Sequence, residues 1–308
     1  MRAIVTGGAG FIGSHVVDGL LARGDEVTVL DNLSTGRREN INEGAQFVQA
    51  DLAEAAEAFA DARPEICFHL AAQADVRVSV ERPDFDAEVN LLGTVHVLEA
   101  ARSHGTQVVF ASTGGAIYGE CESPADEDSP RRPLAPYGAS KLGAEEYLET
   151  YNRLYDTGHV ALRYGNVYGP RQDPHGEAGV VAIFLGRIAR GEPLRIFGDG
   201  SQARDYVYVA DVVEATLAAQ GHAGVFNVGT GTATSVLDLA EACQRVAGVS
   251  VGTEHDAPRP GELQQSVVDP ARAERKLGFR ARTSLEDGLA ATWEFIRKAG
   301  GEDAVGAN

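Results

Sequence analysis

Short β-branched apolar runs alternate with longer stretches of helical period along the first half of the chain. "RAIV" is followed by a helical stretch from about Phe11, and "EVTVL" leads to Asp31. "AQFVQA" leads to Asp51 and an Ala/Glu-rich helix, and "EICFHLAA" precedes a long helix from about Pro83 to Ser103. "TQVVFAS" runs into a Gly-rich loop, the next helix contains "PYGASKLGAEEY", and "GHVALRYGNV" supplies a further strand. This alternation predicts an α/β fold built on a doubly wound parallel sheet.

The rhythm changes after about Gly169. A Pro/Gly-rich charged segment, "GPRQDPHGEAG", precedes a helix near Val180 to Arg190. Short pieces follow ("LRIFGDG", "ARDYVYVADVVEATLAA", "VFNVGTG"), then two terminal helices. Elements this irregular predict a smaller mixed α/β C-terminal part that caps the first, with no repeat and no flexible linker. "GEDAVGAN" reads as a frayed tail.

The 308 residues allow a real core, and 44% hydrophobic with 23% charged residues fits a soluble globular chain. A formal net charge of -18 argues against nucleic acid or an anionic membrane as partner, since it repels phosphate at long range. An anionic small ligand therefore needs local arginines. Cys67, Cys121 and Cys243 show no metal-ligand spacing and read as thiols of a reducing compartment. His15, His69 and His96 form no metal constellation, so no metal is expected. "MRAIVTGG" carries no leader pattern and no run of about 18 apolar residues occurs, which makes a cytoplasmic location the expectation.

"VTGGAGFIGSH" follows the first strand and opens the first helix. Gly7, Gly10 and Gly13 carry G-x-x-G-x-x-G spacing, and Gly8, Gly10 and Gly13 also satisfy G-x-G-x-x-G. Such a turn lets pyrophosphate approach the backbone, and the helix N-terminus at Phe11 and Ile12 offers it free N–H groups. Asp31 stands 18 residues after Gly13, at the end of the second strand. A carboxylate there accepts both ribose hydroxyls and repels a 2′-phosphate, which favours NAD over NADP. Asp51 and Leu52 end the third strand, where Asp51 serves either adenine or the N-cap of the next helix. Residues 1–169 are thus expected to form the NAD-binding domain, with some later segments returning to it. Residues 170–300 are expected to hold the substrate and 301–308 to form the tail.

Tyr137 and Lys141 lie four apart on one helix face. Lowering a phenol from about 10 to about 7 takes roughly 4 kcal/mol, which one charge at about 4 Å in an effective dielectric near 20 supplies. The pair then suits a general base beside a redox cofactor, although this spacing alone is common on surface helices. Ser112 and Thr113 end the strand "VVFAST", and a hydroxyl at that edge points into the ligand crevice of such a sheet.

"TGGAGFIG", the acidic residue after the second strand, "FASTGGAIYG", Tyr-x-x-x-Lys, "LRYGNVYGPRQ" and "ARDYVYVADV" occur in order across nearly the whole chain. In this the chain resembles the extended short-chain dehydrogenase/reductases with their Rossmann fold, and most closely the UDP-glucose 4-epimerase family. The resemblance implies an NAD-dependent isomerase that inverts carbon 4 of a UDP-hexose through a 4-keto sugar. It makes Tyr137 the base, has Lys141 bind the nicotinamide ribose and lower the tyrosine, and has Thr113 orient the sugar hydroxyl. Asn32, Asn90, Tyr164 and the "HLAAQA" residues Leu70, Ala71, Ala72 and Gln73 then line the cofactor. Arg204, Arg259 and Asn166 match diphosphate-binding positions, the helix start at Val180 adds its N-terminus, and Phe197 packs near the uracil. Arg171 is divided between ligand and ion pair, and Tyr118 reads as packing. Gly114 and Gly115 stand where 4,6-dehydratases place Asp-Glu, which disfavours water elimination, and the missing glutamate weakens a decarboxylase. A UDP-N-acetylglucosamine 4-epimerase and a non-catalytic NAD sensor remain as alternatives. The family further implies a homodimer through the helices near Pro83–Ser103 and Tyr137–Tyr155.

Overall fold

The computed structural model describes residues 1–121, 124–173, 179–259 and 263–305. Arg2–Thr6 (β1), Glu26–Leu30 (β2), Gln46–Val48 (β3), Ile66–His69 (β4), Gln107–Thr113 (β5) and Val160–Tyr164 (β6) lie in one parallel sheet. A seventh strand, Gly224–Val228, returns from the C-terminal half to pair with β6. The spatial order is Gly224–Val228, β6, β5, β4, β1, β2, β3, so the sheet winds outward both ways from between β1 and β4. In such sheets the ligand crevice opens at that reversal, beyond the strands' carboxyl ends.

The strands alternate their burden, as a period of two requires. Ala3, Val5, Val27, Val29, Ile66, Phe68, Val109, Val160 and Leu162 join a core with the helices Phe11–Ala22 and Val209–Ala218. Ile4, Leu30, Cys67, Val108, Phe110 and Ala161 face the other way, into a core with Ala55–Ala62, Gly93–His104 and Pro136–Tyr155. A third core unites Val180–Ala189, Val236–Ala247 and Leu285–Val305 around Leu194, Ile196 and Tyr206. Its small sheets pair Ala203–Arg204 with Thr234–Ser235 and Gln265–Ser266, and Leu194–Phe197 with Thr253–Asp256.

The helix of Tyr137 starts with Pro136 in its first turn, where a missing N–H costs nothing, and ends at Asp156 in the left-handed region (φ 53°). The long helix expected from Pro83 is present to His104, with one widened turn over Glu88–Leu92. Three expectations change. The Gly-rich stretch after β5 forms a short helix, Gly114–Ile117, rather than a loop. After Val228 come three helices, not two, because Ala271–Leu277 packs against Gly224–Val228 between the other two. Residues 301–305 continue the last helix rather than a tail, and 306–308 lie outside the described residues. Among the described residues no helix is long and apolar enough to cross a membrane.

Candidate active site

The turn after β1 is tight for a physical reason. Gly7 adopts φ 71°, and a Cβ there would meet the Ala71 nitrogen at 2.6 Å. A Cβ on Gly13 would run into the Gly7 carbonyl oxygen, which caps the turn by accepting from Gly10 N–H at 3.1 Å. The helix Phe11–Ala22 therefore begins against bare backbone, with Gly10 as its N-cap and no side chain occupying its end. Ile12 is partly buried. A dinucleotide's pyrophosphate fits that cradle.

Asp31 ends the strand beside it, 8% exposed. Its carboxylate accepts from Ala9 N–H (3.0 Å) and Leu33 N–H (2.8 Å), which aims it back across the glycine turn. A Cβ on Gly36 would sit about 3.0 Å from the same carboxylate, so glycine keeps that flank open. Asp51 settles on its capping role: it makes a capping box with Glu54 and accepts from Asn32 Nδ2 at 2.5 Å. Leu52 packs toward Gly93.

The opposite wall is held from behind. Asn90 Oδ1 accepts from Gln73 N–H (3.0 Å), while Asn90 Nδ2 donates to Gln73 O and Asp86 Oδ1, both at 2.9 Å. Gln73 Nε2 donates to Asp75 O and to Asp86 Oδ1. Both side chains shape the loop that carries Leu70, Ala71 and Ala72. Tyr164 also turns inward: its hydroxyl bonds Thr216 Oγ1 at 2.7 Å, and burial pushes its pKa above the ordinary range. Beneath the wall, Thr6 bonds His69 Nδ1 (2.7 Å) and His69 Nε2 bonds Thr94 Oγ1 (3.0 Å), whose hydroxyl donates to Asn90 O. That direction puts a proton on Nε2. Burial, with the Lys141 charge, pulls His69 down to about 3.

Thr113 ends β5 in register with Tyr164 and is 9% exposed. The partly buried Tyr137 phenol lies beside the Thr113 side chain. Lys141 Nζ, 2% exposed, donates to Ala111 O at 3.0 Å and lies 4.7 Å from the Phe110 ring centroid. Burial pulls this lysine down to about 8 against the raising charges of Asp86 and Glu145. The expected lowering of Tyr137 is corrected here. Burial, and then the Asp86 charge, push the phenol up to about 12, and only the Thr113 hydroxyl opposes them. Lys141 is anchored to β5, where its charge is shared with two carboxylates, so the chain alone does not make a phenolate.

The capping part adds a cavity of about 520 Å³ lined by Phe197, Gln202, Arg259 and Gln264 among others. The Arg259 guanidinium stacks 3.8 Å from the Phe197 ring centroid. Arg204 lies in a two-residue strand and donates to Ala203 O. Asn166 Oδ1 stands 3.5 Å from where a Gly115 Cβ would be, with Thr113 and Ser266 hydroxyls at 3.7 and 4.0 Å. Gly115 thus leaves open the space that joins the two halves of the site. Val180 opens the helix Val180–Ala189. Arg171 resolves as an ion pair with Asp18, 2.7 Å.

Sequence reasoning missed the polar interior behind these groups. Asp86 binds Ser140; Glu145 binds Ser112 (2.5 Å) and the buried Arg163 (2.6 Å), which reaches Tyr118 (2.8 Å) and through it Asn227. A signal existed: Glu145 is one helical turn beyond Lys141, as Asp86 is one turn before Asn90.

The model of the NAD dependent epimerase/dehydratase family matches residues 3–229. The UDP-glucose 4-epimerase of Mycolicibacterium smegmatis is 48% identical, over 96% of this chain and 99% of its own. The structure of UDP-glucose 4-epimerase from Thermotoga maritima with UDP-glucose is 47% identical, with a TM-score of 0.95 over 97% of this chain and 99% of that one. That of the Thermus thermophilus UDP-glucose 4-epimerase in complex with NAD is 49% identical, with a TM-score of 0.93 over 97% and 100%. On the glycine cradle, the acidic strand end and these likenesses together, the chain belongs to the NAD dependent epimerase/dehydratase family and groups within it with the UDP-glucose 4-epimerases.

Proposed function

We propose that this NAD-dependent epimerase inverts carbon 4 of a UDP-hexose, interconverting UDP-glucose and UDP-galactose through a 4-keto sugar. The observation that carries the reading is the placement of Thr113 at the end of β5 with the Tyr137 phenol beside it and the buried Lys141 anchored to the same strand. NAD, when bound, supplies a reversible two-electron acceptor. Gly7, Gly10 and Gly13 with the start of the first helix would hold its pyrophosphate, and Asp31 its adenosine ribose. Thr113 orients the sugar's 4-hydroxyl, and Tyr137 takes that proton and later returns one. Lys141, held in place by Ala111 O, would bind the cofactor ribose and bring positive charge to the phenol. Arg204 and Arg259 offset the diphosphate of an acidic protein's acidic substrate, Asn166 hydrogen-bonds it, and Phe197 packs near the base.

Gly114 and Gly115 carry no group able to move a proton, which supports epimerisation over elimination. Exposed Leu92, Tyr147, Leu154 and Tyr155 on the two long helices support a homodimer.

The test is incubation with UDP-galactose, UDP-N-acetylgalactosamine and UDP-glucuronate separately, followed by separation of products. UDP-galactose is expected to yield UDP-glucose, and Tyr137→Phe to keep NAD while losing about 10²–10⁴-fold in turnover. NAD binding with no interconversion of any sugar marks a sensor and overturns the reading.

A further inference from the structure

Asp86 is a fully buried carboxylate that the proposed chemistry does not use. Three neutral donors from three segments converge on it: Ser140 Oγ at 2.5 Å, and Gln73 Nε2 and Asn90 Nδ2 at 2.9 Å each. Ser140 lies between Tyr137 and Lys141 in sequence, and its hydroxyl oxygen, whose one proton goes to Asp86, is 3.0 Å from Tyr137 O. Gln73 and Asn90 brace the loop that forms the cofactor wall.

We propose that Asp86 is a positioning residue for the Tyr137–Lys141 pair, tying their helix to the cofactor wall and setting the pH window in which the pair works. The proposal rests on the reading of Tyr137 as base. Among the described residues, Tyr137, Ser140 and Lys141 approach Asp86 from the Pro136–Tyr155 helix, Glu145 stands one turn further along it, and Gln73 and Asn90 bind it from the cofactor wall. Arg77 and Glu81 on the preceding helix, and Arg82, Asp84 and Glu88 beside it in sequence, are exposed to solvent that screens them. In the interior a carboxylate acts on its neighbours through a low effective dielectric. After burial, its charge is what raises Tyr137, and it offsets the burial that lowers Lys141. The carboxylate thus favours a protonated phenol and a charged lysine.

Asp86→Asn separates charge from shape, because the amide oxygen still accepts from Gln73 and Asn90 while its N–H₂ meets the Ser140 hydroxyl. Tyr137 must be deprotonated and Lys141 protonated, so the acid and alkaline limbs of the turnover profile report one each. Loss of the charge lowers both groups, and both limbs are expected to move to lower pH by about one unit. Limbs that stay in place in Asp86→Asn overturn the electrostatic role. Ser140→Ala keeps the charge and cuts the tie: its kcat is expected to fall with both limbs unmoved, and a shifted profile there overturns the proposal even if Asp86→Asn does not fold. In a fluorescence titration with NAD, Asp86→Asn is expected to bind as the parent does and Asp86→Ala more weakly. Parental NAD affinity in Asp86→Ala overturns the bracing role. An inactive Tyr137→Phe beside an unmoved Asp86→Asn profile removes Asp86 and leaves the base assignment standing, whereas an active Tyr137→Phe overturns both.

Discussion

Lys141 Nζ donates to the carbonyl oxygen of Ala111 at 3.0 Å, so the helix that carries the proposed base is tied to the central strand through a buried ammonium. One carbonyl dipole does not replace the lost water, and burial brings the group from 10.5 to about 8. Below about pH 8 both folded and unfolded chains hold the proton, and the cost of the buried charge is present in full. Between about pH 8 and 10 the unfolded chain keeps a proton that the folded chain has shed, so this group makes stability rise with pH. Urea unfolding of the parent and Lys141→Met across pH 7–10 is expected to show the parent gaining on the variant above pH 8. A constant difference contradicts the assignment.

Asp31→Ala is expected to weaken NAD and relax the rejection of NADP, since the carboxylate held by Ala9 and Leu33 N–H groups no longer meets the ribose hydroxyls or a 2′-phosphate. Equilibrium titration with each dinucleotide checks it. An unchanged preference removes Asp31 from the ribose.

Glu145 and Arg163 are an ion pair 1% and 2% exposed at the side chain. Removing one partner of such a pair costs about 3–5 kcal/mol, whereas replacing both by apolar groups costs far less. Glu145→Leu is expected to lower the unfolding free energy by that order, and Arg163→Met added to it to recover part of the loss. A single variant of near-parental stability would show that the pair holds nothing together.

His69 and His159 are buried as neutral rings, pulled down to about 3 and about 4 by burial, in His69 with the Lys141 charge. Their unfolded value of 6.5 lies above both, so the unfolded chain binds protons that the folded chain refuses. Stability from this source is complete above about pH 6.5 and declines as pH falls toward the folded values. At pH 5 the loss is about 2 kcal/mol for each ring, at about 1.36 kcal/mol per unit. Denaturant midpoints at pH 7 and pH 5 measure it, and equal midpoints refute it.

The sheet and the glycine turn are legible in the sequence because each is local: a period of two, a glycine spacing, and an acidic residue at a strand end. The Tyr137–Lys141 spacing and the hydroxyl of Thr113 at a strand end can be read from sequence for the same reason, as local features on which the proposed chemistry rests. What stays hidden is direction. Asn90 and Tyr164 read as crevice residues, and no spacing reveals that Asn90 also bonds Gln73 and Asp86 or that the Tyr164 hydroxyl bonds Thr216. Asp51 stays open between two roles until Glu54 closes the capping box in space. The phenol's acidity is misjudged from sequence because one cation is visible there, whereas the burial and the carboxylate of Asp86, far from Tyr137 along the chain, are not. Arg163 goes unnoticed in an apolar strand, since its partner arrives from a different helix.

The strand Gly224–Val228, which borders β6, has a bearing on how the polypeptide matures. A ribosome that has released only the first 169 residues has made six of the seven strands, yet leaves the Val160–Tyr164 edge with its amides open and Val160 and Leu162 without their final cover. Such an edge invites pairing with another nascent molecule. The last-made third of the chain thus acts as a built-in guard for the first, and a gene truncated after Gly169 would yield aggregate rather than a free-standing dinucleotide binder.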